Sequence, residues 1–84
     1  MSKPSTVTIY SAPWCAFCHM AKEYLKSKKV AFKDINVDED QDAAREMVAR
    51  TGQAGIPVIL VGEATIIGFD RPRIDSALEQ YNLV

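Results

Sequence analysis

The chain has 84 residues, 48% of them apolar and 25% charged, the make-up of an ordinary soluble globular domain with room for one core and not two. Lys+Arg 10 against Asp+Glu 11 leaves a net charge of −1, which argues against a nucleic-acid binder, and no apolar run approaches the ~18 residues of a membrane span. Two cysteines are too few for the disulfide framework of a small secreted domain.

Met1 to Thr6 forms a polar lead-in with one positive residue and no apolar h-region, so no secretory signal is expected. Val7-Thr8-Ile9-Tyr10 predicts a short strand, ended by Ser11-Ala12-Pro13. From Cys15 to about Lys28 the pattern is helical, with Cys18, Ala21 and Leu25 on one face. A second strand is expected within Ala31–Val37, where apolar and polar residues alternate from Phe32. A second helix is expected from about Gln41 to Arg50, with Ala44, Met47 and Val48 inward; the acidic stretch Asp38 to Asp42 suits its start and Thr51-Gly52 its stop. Gln53-Ala54-Gly55 is a loop, and Ile56–Val61 is the most apolar run. Gly62-Glu63 then turns the chain into Ala64–Ile67 as a hairpin. In the last helix Ile74, Ala77, Leu78 and Tyr81 repeat on one face, and Pro72 fits only in the first turn. The order is β-α-β-α-β-β-α: an α/β fold with a mixed four-stranded sheet flanked by three helices. The first two strands are parallel and the last two antiparallel.

Trp14-Cys15-Ala16-Phe17-Cys18 falls where the first strand gives way to the first helix. A thiolate there meets unpaired N–H groups and the positive end of the dipole, so the Cys15 thiol is expected to ionise below the ~8.5 of a free thiol. Cys18, one turn further on the buried side, can then attack a mixed disulfide formed on Cys15. Other readings have less support. A closed zinc site needs about four ligands, and the chain offers two thiols and His19. Cys15-x-x-Cys18-His19 also fits covalent haem attachment, against which stand the missing export signal and the strand-rich remainder. His19 is most simply a solvent-facing helix residue, and the lysines Lys22, Lys26, Lys28, Lys29 and Lys33 a solvated basic face.

Ile9-Tyr10-Ser11, Trp14–Cys18, Ala21-Lys22, Thr51–Val58 and Gly68-Phe69-Asp70, in this order and spacing, resemble the glutaredoxin family of the thioredoxin fold over about residues 7–80. The resemblance implies a single domain, a thioredoxin-like fold and a thiol–disulfide oxidoreductase with Cys15 as nucleophile and Cys18 resolving. It makes Pro57 a cis-proline beside the dithiol, leaving the N–H and C=O of Ile56 to pair with an extended substrate. It places Gly68, Phe69 and Asp70 at the γ-glutamyl end of glutathione and Gln53 near its glycine carboxylate. Trp14, Phe17, Ile56, Pro57 and Phe69 then form the surrounding groove. Three departures stand out: Ala16-Phe17 replaces the family's Pro-aromatic pair, Ala12 a basic residue, and Ile67-Gly68 a Gly-Gly pair. The expected partners are disulfide-containing proteins, with glutathione as co-substrate or a thioredoxin reductase as electron donor, as for the glutaredoxin-like donors of ribonucleotide reductase. No bound cofactor or metal is expected, nor nucleic acid or membrane, and the protein is expected to be a cytoplasmic monomer. The competing implication is a metal or iron–sulfur carrier that shares a cluster between two chains through Cys15.

Overall fold

The structure is a computed structural model and describes residues 6–83; Met1 to Ser5 of the expected lead-in lie outside the described residues. Seven elements follow one another: β1 (Val7–Ser11), α1 (Ala16–Ser27), β2 (Lys33–Asn36), α2 (Gln41–Thr51), β3 (Val58–Val61), β4 (Ala64–Ile67) and α3 (Arg71–Gln80). They form one sheet in the order β2-β1-β3-β4. β1 and β2 are parallel, joined through α1, whereas β3 runs antiparallel to both β1 and β4.

Two expected strands are shorter than their apolar patterns. β2 spans 33–36 because its ladder on β1 runs only from Thr8↔Lys33 to Ser11↔Asn36. β3 starts at Val58, since Pro57 has no N–H to give a ladder. The Ile56–Pro57 peptide is cis, as the resemblance implied.

Alternation along the central strands divides the core. Val7 and Ile9 of β1 and Ile59 and Val61 of β3 face α1 and α3, packing with Ala21, Leu25, Ile74, Ala77 and Leu78. Tyr10 and Val58 face the other way onto Met47 of α2, with Ala43, Ile35 and Leu60 around them. The expected inward face of α2 needs one correction. Met47 is buried and Ala44 half-buried, but Val48 is 40% exposed. One row, Ala43 and Met47 at i and i+4, meets the sheet, and Val48 lies about 100° further round the helix.

The helix ends follow from local chemistry. Asp40 caps α2 by accepting the Ala43 N–H at 3.0 Å, and Gly52 closes it in the left-handed region at φ 75°. Asp70 caps α3 by accepting the Arg73 N–H at 3.3 Å, with Pro72 in the first turn. At the β3–β4 turn Gly62 has φ 59°, and a Cβ there would lie 2.5 Å from the Tyr81 ring. The strand directions have a functional consequence. The ends of β1, β2 and β4 and the start of β3 all lie at the same end of the sheet.

Candidate functional site

That end of the sheet carries the cysteines. β1 stops at Ser11, the Cys15 N–H donates to the Ala12 carbonyl at 3.1 Å, and Cys15 becomes the N-cap of α1. Its sulfur accepts the N–H of Cys18 at 3.1 Å, the role an oxygen plays at Asp40 and Asp70. The two cysteines are joined as a disulfide with Cα atoms 5.2 Å apart. Cys15 is 7% exposed and Cys18 fully buried, so of the two only Cys15 reaches the surface. Trp14 and Phe17, by contrast, are 70% and 62% exposed, a pair of open aromatic rings next to the disulfide in the chain. His19 is exposed as expected, and its Nε2 donates to the Pro13 carbonyl at 2.9 Å, bracing the turn before the motif.

Pro57 and Gly68 meet at this end of the sheet: the Gly68 N–H donates to the Pro57 carbonyl at 2.8 Å, with Gly68 at φ 84°. Ile56 is half-buried, and its N–H and C=O make no hydrogen bond within the described residues. Phe69 stacks edge-on against Tyr24 of α1 with ring centroids 5.8 Å apart. It walls an open groove between α1 and α3 together with Met20, Tyr24 and Arg71. Asp70 caps α3 through Oδ1. Gln53 is folded onto its own loop: its Oε1 accepts the Gly55 N–H at 2.7 Å and its Nε2 donates to the Gly55 carbonyl at 3.3 Å. The close approach needs a glycine, because a Cβ on Gly55 would sit 2.5 Å from that Oε1. Ala12 is buried, so the side chain at that position does not face solvent.

Four polar contacts near the motif have no counterpart in the sequence patterns. Beneath α1 the buried Ser11 hydroxyl donates to Asp34 Oδ1 at 2.6 Å, and Lys22 Nζ lies 3.0 Å from Asp34 Oδ2. Partial burial by itself pushes the Asp34 carboxyl up. The Ser11 hydroxyl and the Lys22 ammonium outweigh it and hold the carboxyl below its ordinary value of 3.8. On the opposite face Tyr10 donates to Glu46 Oε1 at 3.0 Å; burial first and that carboxylate second push the phenol up. Across the top of the sheet, Trp14 Nε1 donates to Asp38 Oδ2 at 2.7 Å. These partners are 12 to 36 residues apart in the chain, and no short motif encodes them. The one available signal was a lone serine at the end of an apolar strand, which demands a buried partner.

The fold and the paired cysteines define a thioredoxin-like redox protein, and comparison with known proteins narrows the class. The glutaredoxin family profile matches residues 7–66. A glutaredoxin-like 8.6 kDa protein of the rubredoxin operon of Clostridium pasteurianum is 42% identical over 74 residues, covering 88% of this chain and 99% of its own. Glutaredoxin 3 of Escherichia coli is 35% identical over 66 residues, covering 79% and 80%. Among solved structures, NrdH-redoxin of Escherichia coli, a glutaredoxin-like protein described as having a thioredoxin-like activity profile, superposes with a TM-score of 0.79. It is 31% identical and covers 84% of this chain and 92% of its own. The chain belongs to the glutaredoxin family.

Proposed function

We propose that this protein is a dithiol thiol–disulfide oxidoreductase acting on protein disulfides and glutathione mixed disulfides, with Cys15 as nucleophile and Cys18 as resolving thiol. The observation that carries the reading is the Cys18 N–H aimed at the Cys15 sulfur at the head of α1, with Cys18 buried behind it. In the reduced protein those helix N–H groups favour the Cys15 thiolate over the thiol.

The Cys15 thiolate attacks one sulfur of a substrate disulfide, forming a mixed disulfide and expelling the other sulfur as a thiolate that takes up a proton. The Cys18 thiol then loses its proton and attacks the Cys15 sulfur. This displaces the second substrate thiolate and leaves the Cys15–Cys18 disulfide. Two electrons pass from the protein to the substrate, and a two-electron thiol donor must return them. The unbonded N–H and C=O of Ile56 support pairing with an extended substrate segment, and Trp14 and Phe17 supply apolar contact area around the sulfur. Such a pair cycles in a reducing compartment such as the cytoplasm. Among the described residues no helix is long and apolar enough to cross a membrane.

For the donor, the groups expected to hold glutathione favour a reductase instead. Gln53 is engaged with Gly55, and Ala12 supplies no charge. The thioredoxin-like activity profile of NrdH-redoxin points the same way. The test is a donor swap on purified protein, with insulin and hydroxyethyl disulfide as substrates. Turnover with NADPH and thioredoxin reductase should exceed turnover with glutathione and glutathione reductase. The reverse order would overturn the donor, and no turnover with either would overturn the oxidoreductase reading.

A further inference from the structure

An indole that is 70% exposed on a two-residue turn is ordinarily free to change rotamer within nanoseconds. Trp14 is not free: its Nε1–H donates to the Asp38 carboxylate at 2.7 Å, a charge-assisted bond between residues 24 apart in the chain.

Asp38 is itself mounted on the end of the sheet. Its N–H donates to Asn36 Oδ1 at 2.9 Å, and the preceding Val37 N–H donates to the Ser11 carbonyl at 2.9 Å. Asn36 is the register partner of Ser11, and its carbonyl accepts the N–H groups of Glu39 and Asp40 at 3.2 and 3.0 Å. The post that holds the indole is therefore tied to the same strand end that launches the Cys15 turn. The Asp38 carboxylate makes no other hydrogen bond or ion pair within the described residues, and capping of α2 falls to Asp40. Neither helix capping nor charge pairing accounts for it.

We propose that Asp38 is a positioning residue for protein disulfides: through Trp14 it fixes the indole as a standing apolar wall beside Cys15, against which a protein substrate docks. The proposal rests on the oxidoreductase reading above. A partner chain that reaches Cys15, itself 7% exposed between the open rings of Trp14 and Phe17, must cover those rings, and a wall already fixed loses no rotamer freedom on docking. A small disulfide reaches the sulfur without covering the rings and gains little from a fixed wall.

Trp14 is the only tryptophan in the chain, so intrinsic fluorescence reports on this ring alone. Asp38→Ala should enlarge the fast component of the fluorescence anisotropy decay. It should raise KM for insulin by roughly three- to ten-fold while kcat stays within about two-fold, and KM for hydroxyethyl disulfide should move by less than about two-fold. Asp38→Asn, which keeps an acceptor for the indole N–H, should recover at least half of both the anisotropy and the KM effect. Unchanged anisotropy in Asp38→Ala overturns the proposal, as does an equal rise in KM for both substrates, a fall in kcat alone, or no recovery in Asp38→Asn. A wild-type protein that reduces neither disulfide overturns the oxidoreductase reading and the proposal with it. Loss of the protein-substrate preference in Asp38→Ala alone leaves that reading standing.

Discussion

The amide N–H of Cys18 points back at the sulfur of Cys15 from 3.1 Å, so the first turn of α1 is closed by a cysteine where Asp40 and Asp70 close the other two helices. The two cysteines are unequally placed: Cys15 is 7% exposed and Cys18 fully buried.

Cys15→Ser should therefore abolish disulfide reduction, because the more accessible of the two cysteines is gone. Cys18→Ser should still attack but not resolve. With a protein disulfide it should stall as a mixed disulfide, seen as one adduct of substrate mass in a non-reducing mass spectrum. An adduct that forms on Cys18 in the Cys15→Ser protein would reverse the two roles.

The Ser11–Asp34–Lys22 contact makes acid stability depend on one carboxylate. Its folded pKa is held low, so its contribution is fully present above the unfolded value and fades as pH falls through the folded one. Asp34→Asn should be less stable than wild type at neutral pH, and the two denaturation midpoints should converge below about pH 4. A gap that stays constant down to pH 2 would exclude the carboxylate as its source. Ser11→Ala, which strips a buried hydroxyl from the same carboxylate, should cost about 1–2 kcal/mol by urea titration.

Gly62 combines φ 59° with a Tyr81 ring that a Cβ would strike at 2.5 Å, and the Tyr81 hydroxyl accepts the N–H of Glu63 at 3.1 Å. Gly62→Ala should destabilise by about 2–3 kcal/mol, the left-handed penalty plus displacement of the ring. Tyr81→Phe should cost only about 0.5–1.5 kcal/mol, since it removes the bond and keeps the packing. Thermal melts of the two variants separate these contributions.

Adjacent residues on α2 should respond in opposite ways. Met47→Ala opens the core under Tyr10 and Val58 and should cost about 2–4 kcal/mol. Val48→Ala, at a 40%-exposed helical position, should be neutral or slightly stabilising, within about 0.5 kcal/mol, because alanine is the better helix former. A large loss at Val48 would show that a surface packs on it in solution.

Most of the fold was legible because each element carries its own local cause. Ile74, Ala77 and Leu78 share one helical face, Asp40 and Gly52 bracket α2, and Gly62-Glu63 joins two apolar runs at hairpin spacing. Val48 was misread because a hydrophobic residue beside Met47 lies within the apolar arc of the sequence, while the width of the covered face depends on the sheet beneath it. The strand order was not legible either. Nothing local to Val58–Val61 says that it inserts beside β1 instead of β4 alone.

The sequence by itself determined where the reactive groups lie: two cysteines one helical turn apart, at the point where strand periodicity changes to helix periodicity, within a stretch that matches the glutaredoxin family. Tertiary structure decided what surrounds them. Trp14 meets Asp38, Ser11 meets Asp34, and Pro57 meets Gly68 only because parallel and antiparallel pairing brings four strand ends together. The division has a physical reason. Helix caps and turns depend on dihedral preferences within a few residues, whereas a hydrogen bond across 24 residues exists only after the sheet has closed the intervening loop.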